Sequence, residues 1–200
     1  MIVRIYVEGG GDQNSTKSDC RQAFRGLFNK VISYRSFTVI ASGGRLKAFQ
    51  NFCTALHQHP NDYNILLVDS EDPVTQTPWK HLWNRAGDKW ARPDMATEDQ
   101  AHLMVQCMEA WILADRESVV KYYGQGFIAS KLPPPQNVEQ KSSAEALQIL
   151  QQASSNTSKG EYHKTQHGFD LLERIDPQLI RIASPHANRL FEVLLKETNV

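Results

Sequence analysis

The sequence predicts an α/β fold in which a mainly parallel sheet is flanked by helices. Three apolar runs, residues 2–7, 37–41 and 64–69, alternate with segments of helical length. Such alternation is typical of parallel strands joined by helical crossovers. Because the runs are apolar at successive positions, the strands are expected to be buried on both faces. A further apolar run, residues 103–108, predicts a fourth strand.

Helices are predicted between and after these strands. The segment between the first two strands repeats apolar residues at helical spacing, and so does the segment that ends near His59 and Pro60. Another helix is expected from residue 110 to residue 123, closed by Gly124. The last third of the chain predicts three helices, near residues 143–153, 165–174 and 185–197.

Two irregular segments interrupt this pattern. Residues 73–99 hold three prolines and three of the four tryptophans, which predicts an inserted excursion with a short helix around 78–86. Residues 130–142 contain three successive prolines and are linker-like. We therefore expect one α/β domain over residues 1–129, with the Trp-rich insertion inside it. A helical C-terminal cap over residues 143–200 is expected to pack on the same domain.

Composition limits the classes of function. Basic and acidic residues balance at 22 each, so nucleic-acid binding would have to come from local patches. The three cysteines are odd in number and lack a Cys-x-x-Cys pair, which argues against a disulfide framework or a zinc site. No apolar stretch approaches the ~20 residues that a membrane helix needs, and no leader precedes the first strand. We expect a cytoplasmic protein without a membrane partner.

Carboxylates follow three of the predicted strands. Glu8 ends the first strand, Asp69 and Glu71 end the third, and Glu109 follows the fourth. Ligands of open α/β sheets bind beyond the carboxyl ends of the strands, so these four acids are expected in one crevice. An all-oxygen cluster favours a hard divalent cation, with Mg²⁺ as the simplest choice. The alternative is that these acids cap helices or face solvent.

Several cations are candidates for contacts with a substrate phosphate. Residues 42–44, Ser-Gly-Gly, open a helix that carries Arg45 and Lys47, and the free N–H groups of such a turn can bind an anion. An ordinary turn with solvated cations is the alternative. Cations of the C-terminal third, among them Lys164 and Arg189, either converge over the crevice or face water as a helix surface.

The Trp-rich insertion has two interpretations. It interleaves tryptophan with lysine and arginine, as in surfaces on which bases stack while cations contact phosphates. Its tryptophans can instead anchor the excursion to the core, and their large burial energy favours this second interpretation. Trp111, which lies within an apolar helix, is expected in the core.

The strand-end motifs resemble a known family. Residues 7–12, VEGGGD, and residues 68–71, VDSE, are similar to the two signatures of TOPRIM domains. Residues 103–111, LMVQCMEAW, resemble the third element of an uncharacterised bacterial TOPRIM-like family related to RloB and abortive-infection L-type phage-defence proteins. Residues 162–164 and 184–191 are similar to its C-terminal pattern. The second motif is D-x-E here, whereas the commoner pattern is D-x-D.

The resemblance implies a TOPRIM-like (Rossmann-like) fold and Mg²⁺- or Mn²⁺-dependent hydrolysis of phosphodiester bonds in DNA or RNA. It implies that Glu8 is the acid or base and that Asp69 and Glu71 bind metal. We expect Glu8 and Glu109 to complete the catalytic and metal-binding set. An ATPase partner in phage defence is also implied. The alternative is a non-catalytic TOPRIM-fold subunit that provides recognition within such a complex.

Overall fold

The computed structural model describes residues 1–198 and shows a mixed α/β fold with a four-stranded sheet. The strands are parallel and lie in the order β2-β1-β3-β4. The predicted parallel sheet flanked by helices is therefore confirmed. The bounds of the strands are β1 (Val3–Val7), β2 (Phe37–Ala41), β3 (Tyr63–Asp69) and β4 (Ala101–Met104).

Nine α-helices flank the sheet within the described residues. None of them has the length and apolarity needed to cross a membrane. A π-helical turn, Lys164–Gly168, leads directly into the seventh helix. The helices are α1 (Asn14–Asn29), α2 (Arg45–Gln58), α3 (Pro78–Asn84), α4 (Met108–Ala114), α5 (Arg116–Tyr123), α6 (Ser143–Ser154), α7 (Phe169–Arg174), α8 (Pro177–Ala183) and α9 (Pro185–Glu197).

Each face of the sheet has its own hydrophobic core, because successive side chains of a strand point to opposite faces. Ile5 and Leu67 belong to the core shared with α1, α4 and the C-terminal helices. Tyr6 and Leu66 belong to the core shared with α2, α3 and the Trp-rich insertion. Both faces are covered, which explains why these strands are apolar at successive positions.

The C-terminal helices contribute to the larger of these two cores. The ring of Phe191 in α9 packs against Phe28 of α1, with ring centroids 5.9 Å apart, and against Trp111 of α4 at 6.5 Å. All three side chains are fully buried. The segment predicted as a C-terminal cap thus packs on the face of the sheet that α1 covers. Residues 199 and 200 of that segment lie outside the described residues.

The fourth strand is shorter than predicted. Of the apolar run 103–108, only the first two residues belong to β4, which starts at Ala101 and ends at Met104. Helix α4 begins at Met108, so Glu109 lies in the first turn of a helix rather than at a strand end. A short apolar run fits a buried strand and a buried helix equally well, so periodicity alone could not place this boundary.

The helix predicted over residues 110–123 consists of two helices, α4 and α5. Asp115 separates them, and its buried carboxylate accepts hydrogen bonds from the N–H groups of Ser118 at 3.0 Å and Asp176 at 2.8 Å. An aspartate that caps a new helix in this way interrupts the helix before it. Asp176 in turn caps α8, an additional helix that begins with Pro177.

The Trp-rich insertion is anchored to the core by two of its tryptophans. Trp79 and Trp90 are 4% and 7% exposed, and the Trp90 ring stacks on Phe49 with 4.4 Å between centroids. Trp83 is 52% exposed. The anchoring interpretation is therefore confirmed for Trp79 and Trp90, and the predicted short helix is α3.

Two glycine turns pair with each other beyond the ends of β1 and β2. The N–H of Gly9 donates to the carbonyl of Gly43 at 2.8 Å, and the N–H of Gly43 donates to the carbonyl of Gly9 at 3.0 Å. Gly43 has a φ of +83°, and a Cβ at this position would lie 2.5 Å from the carbonyl oxygen of Gly11. Both conformation and space therefore require glycine here.

We expect Gly43→Ala to lower the free energy of unfolding by about 2–3 kcal/mol, because it combines a strained φ with a backbone clash. Denaturant unfolding monitored by circular dichroism measures the loss. Gly44→Ala is the matched control, since Gly44 has a φ of −71° and open space around its Cβ position. The control should lose about 1 kcal/mol or less. Equal losses in the two variants would show that neither the φ of Gly43 nor the space around it requires glycine.

Candidate active site

A cleft of about 210 Å³ lies beyond the carboxyl ends of β1 and β3, where the ligand crevice of a parallel sheet is expected. Glu8 follows β1, Asp69 ends β3, and both line the cleft. Lys164 reaches it from the π-helical turn. The apolar part of the lining is formed by Met104, Met108 and Phe169.

Asp69 is buried, with 5% of its surface exposed. Its Oδ2 atom lies 3.4 Å from Nζ of Lys164, whereas Oδ1 has no hydrogen-bond partner among residues 1–198. Burial raises the pKa of Asp69 to about 7; Lys164 opposes this rise, and Glu8 and Glu109 add to it. A buried oxygen without a partner is costly, which makes Asp69 the leading candidate for a metal ligand.

Lys164 lies between two acids that come from different elements. Its Nζ atom is 3.4 Å from Oε2 of Glu109, the same distance as from Asp69. Burial lowers the pKa of Lys164, but the two carboxylates more than offset this, so the net shift is upward and the ammonium stays charged. Half of its side chain, 52%, is nevertheless exposed. The ammonium is therefore both neutralised by acids and accessible to a ligand.

Tyr162 binds the carboxylate oxygen of Glu109 that does not face Lys164. Its hydroxyl donates a hydrogen bond to Oε1 of Glu109 at 3.0 Å, and both side chains are buried. Burial, and then the negative charge of Glu109, raise the pKa of Tyr162 well above its usual range. The phenol therefore remains a donor at neutral pH. The family resemblance includes Tyr162 in the motif of residues 162–164, but it gave this tyrosine no role.

Arg45 holds Glu8 on the opposite side of the cleft. Its Nη1 atom lies 3.1 Å from Oε2 of Glu8 and also donates to the main-chain carbonyl of Asp69. The same Glu8 oxygen accepts the N–H of Asp69 at 3.3 Å. Burial raises the pKa of Glu8, Arg45 lowers it, and Glu71 raises it, with a net upward shift. Glu8 is therefore a stronger base than an exposed glutamate.

Asp88 fixes the guanidinium of Arg45. Its oxygens accept hydrogen bonds from Nε at 2.8 Å and Nη2 at 2.7 Å, a bidentate pair, and the Arg45 Cζ atom lies 5.2 Å from the centroid of the Trp90 ring. Arg45 is thus occupied by protein groups rather than held open for a substrate phosphate. One signal in the sequence was available for Asp88, an acid within a segment rich in lysine and arginine.

Glu71 lies near these acids without lining the cleft. Its charge contributes to the raised pKa values of both Glu8 and Asp69. Its φ of +64° is uncommon for a residue other than glycine, asparagine or aspartate. The N–H of Glu71 donates to the carbonyl of Gln106 at 2.8 Å, which ties this turn to the loop after β4.

Two predicted phosphate contacts, Lys47 and Arg189, do not line the cleft. Lys47 is exposed on α2 and forms no salt bridge within the described part of the chain. Arg189 donates to the carbonyls of Glu98 and Ala101 and to the carboxylate of Asp99. These groups lie at or just before the start of β4, whereas the cleft lies beyond the carboxyl ends of the strands. Arg189 therefore does not converge on the crevice, because local polar groups satisfy its donors.

The acids share one neighbourhood but do not form a metal cage by themselves. Within residues 1–198, no group of three or more His, Cys, Asp or Glu side chains is placed to hold a metal ion. Mg²⁺ does not require such a cage, since one or two carboxylates often bind it together with substrate phosphates. Glu8 and Asp69 supply two carboxylates, and the unpartnered Oδ1 of Asp69 fits a site of this kind.

Comparison with known proteins identifies the family of this chain. No curated protein and no solved structure matches the chain. Residues 7–195 match the family described as "Domain of unknown function (DUF4276)", a span that includes the whole cleft. The chain therefore belongs to the DUF4276 family.

Proposed function

We propose that this protein hydrolyses phosphodiester bonds of DNA or RNA with Mg²⁺ or Mn²⁺. The observation that carries the proposal is Asp69, a buried carboxylate with one unpartnered oxygen in a cleft that also holds Glu8 and Lys164. Carboxylates suit a hard cation, and an accessible ammonium suits the non-bridging oxygens of a phosphodiester. The combination matches phosphoryl chemistry better than reactions of neutral substrates.

The charged residues of the cleft, and Glu109 beside it, have roles in this proposal. Asp69 and Glu8 would hold the metal ion, which when bound polarises the phosphate and lowers the pKa of its water. Lys164 binds a phosphate oxygen through its exposed ammonium and offsets the charge that develops there. Glu8, made more basic by burial, accepts the proton of the attacking water. Glu109 acts through Lys164 and is a positioning residue.

The TOPRIM-like identity of the fold and an ATPase partner in phage defence also belong to the proposal. The first is supported by the parallel order β2-β1-β3-β4 and by the acids that follow β1 and end β3. The second rests on the resemblance of the motifs alone. A cytoplasmic location stays a prediction.

A non-catalytic recognition subunit is the second candidate. The observation that favours it is that Lys164 and Arg45 already neutralise the acids of the cleft. Each of the two acids that line the cleft thus has a cation partner without a metal ion. In this case the same surfaces would bind nucleic acid without cutting it.

Cleavage assays separate the two candidates. Pure protein is incubated with single-stranded DNA, duplex DNA, RNA and tRNA in Mg²⁺, in Mn²⁺ or in EDTA. We expect fragments that require metal and that are absent with EDTA. Binding of a nucleic acid without cleavage under any of these conditions would favour the recognition subunit.

We expect Glu109→Gln to lower the hydrolysis rate by about 10- to 100-fold, because Glu109 orients Lys164 rather than touching substrate. Glutamine retains an acceptor for the Tyr162 hydroxyl, so the melting temperature should change little. The split between a slower rate and preserved stability is the readout that a purely structural role would not produce. Glu117→Gln, at an exposed position of α5, is the control. Parental activity in the Glu109 variant would show that Asp69 alone positions Lys164.

A further inference from the structure

Helix α1 carries a row of cations outside the cleft. Lys17, Arg21 and Arg25 are four residues apart, so they lie on one face of the helix at intervals of about 6 Å along its axis. Arg21 and Arg25 are exposed. None of the three forms a salt bridge within residues 1–198, and the guanidinium of Arg21 donates a hydrogen bond to the hydroxyl of Ser18 at 3.4 Å. Their charges are available to an anionic partner.

The row begins at the catalytic cleft. A Cβ on Gly43 would lie 3.0 Å from Cε of Lys17, and a Cβ on Gly10 would lie 2.7 Å from Cα of Lys17. Gly10 and Gly43 both line the cleft. Lys17 therefore lies beside the cleft, and Arg21 and Arg25 follow along α1.

Two larger surface clefts continue the row. The first, of about 530 Å³, is lined by Arg21, Arg25 and Tyr34, and the second has a volume of about 570 Å³. They adjoin, because Glu173 lines both. In the second cleft four cations outnumber the two acids, Asp170 and Glu173, so positive charge prevails. Those cations are Lys30, Lys121, Lys159 and Arg174.

Aromatic rings accompany these cations. Tyr34 is 53% exposed beside the first cleft. In the second cleft, Nζ of Lys159 lies 4.8 Å and Cζ of Arg174 lies 5.6 Å from the centroid of the Tyr122 ring. Surfaces that bind single strands combine such rings, on which bases stack, with cations that follow the phosphates.

We infer that this cationic track, formed by Lys17, Arg21, Arg25 and the two clefts, binds a single strand of nucleic acid and leads it to the catalytic cleft. The inference rests on the proposed function and names its substrate class. The interval between the α1 cations suits successive phosphates of an extended strand. The chain has no net charge, so a local patch must supply the attraction. Stacking on the exposed ring of Tyr34 requires unpaired bases, which favours a single strand over a duplex.

The double variant Arg21→Gln, Arg25→Gln tests the track. Its affinity for a labelled single-stranded oligonucleotide is measured by fluorescence anisotropy in EDTA, so binding does not depend on cleavage. We expect Kd to rise by about 10-fold or more, and the slope of log K against log salt to fall by about 1.4, since each lost phosphate contact removes about 0.7. The control Lys131→Gln, Lys196→Gln removes the same charge at exposed sites outside the track. It should leave Kd nearly unchanged.

The results that would overturn the track differ from those that would overturn the proposed hydrolysis. An unchanged Kd in the Arg21, Arg25 variant, or an equal loss in the control, overturns the track. If a duplex binds as tightly as the single strand, the track is not specific for single strands and that part of the inference is overturned. A protein that binds in EDTA but never cuts overturns hydrolysis and supports the track. A protein that cuts bis(p-nitrophenyl) phosphate but does not bind the single strand supports hydrolysis and overturns the track.

Discussion

Asp69→Asn should reduce metal-dependent hydrolysis by about 10³-fold or more, because the substitution removes the charged ligand while keeping the shape of the side chain. Titration calorimetry of the metal-free protein with Mn²⁺ should show the corresponding loss of affinity. The argument rests on the position of Asp69, which is buried, lines the cleft and leaves Oδ1 without a partner among residues 1–198.

The same substitution should make the metal-free protein more stable at pH 8. Burial raises the pKa of Asp69 from 3.8 to about 7, so the folded state binds a proton more tightly than the unfolded state. The stability that this gives is complete below pH 3.8 and is lost as the pH rises to about 7. The free energy of unfolding of the parent should decline across this interval, and that of the variant should decline less.

Asp72→Asn provides the matched control for both measurements. It makes the same chemical change three residues later, where the side chain is 63% exposed and pairs with Arg85 at 3.2 Å. We expect parental metal affinity and parental pH dependence. If Asp69→Asn also kept parental Mn²⁺ affinity and rate, the metal would have to bind elsewhere and the proposed site would fail.

The fold was predictable where the physical signal is local. Residues 5–7 of β1 and residues 65–68 of β3 are apolar at successive positions because the sheet is covered on both faces, and this pattern is visible in the sequence. The proximity of Glu8 and Asp69 followed from the same prediction, since the carboxyl ends of neighbouring parallel strands meet at one edge. The boundary before Glu109 was not predictable, because buried strands and buried helices share apolar composition.

The pairing of the acids with their partners was not predictable, because the partners come from distant parts of the chain. Lys164 was predicted only as one of several cations that either converge over the crevice or face water. Lys164 lies 95 residues after Asp69, and Tyr162 lies 53 residues after Glu109. No periodicity or spacing rule links residues so far apart. The sequence therefore identified Glu8 and Asp69, which line the cleft, but it also placed Glu71 and Glu109 there, and neither lines it. The cations that pair with these acids are visible only in the folded structure.

Arg45 shows how such a partner changes the expected effect of a mutation. A glycine turn followed by Arg45 and Lys47 predicts either phosphate contacts or solvated cations, whereas the structure gives Arg45 a bidentate pair with Asp88 and an ion pair with Glu8. The Asp88 side chain is 1% exposed. We expect Arg45→Ala to lower the free energy of unfolding by about 3 kcal/mol, because it leaves Glu8 without its cation and Asp88 with Arg85 alone, at 3.3 Å.

Denaturant unfolding of three variants tests this expectation. Lys47→Ala, an exposed position in the same helix, should change stability by about 0.5 kcal/mol or less. Arg45→Lys should show an intermediate loss, because lysine keeps the charge but cannot contact Asp88 through two parallel hydrogen bonds. An Arg45→Ala protein as stable as Lys47→Ala would show that Arg85 suffices for Asp88 and that Glu8 finds another partner. Arg45 would then be free to contact substrate, as the glycine turn alone suggests.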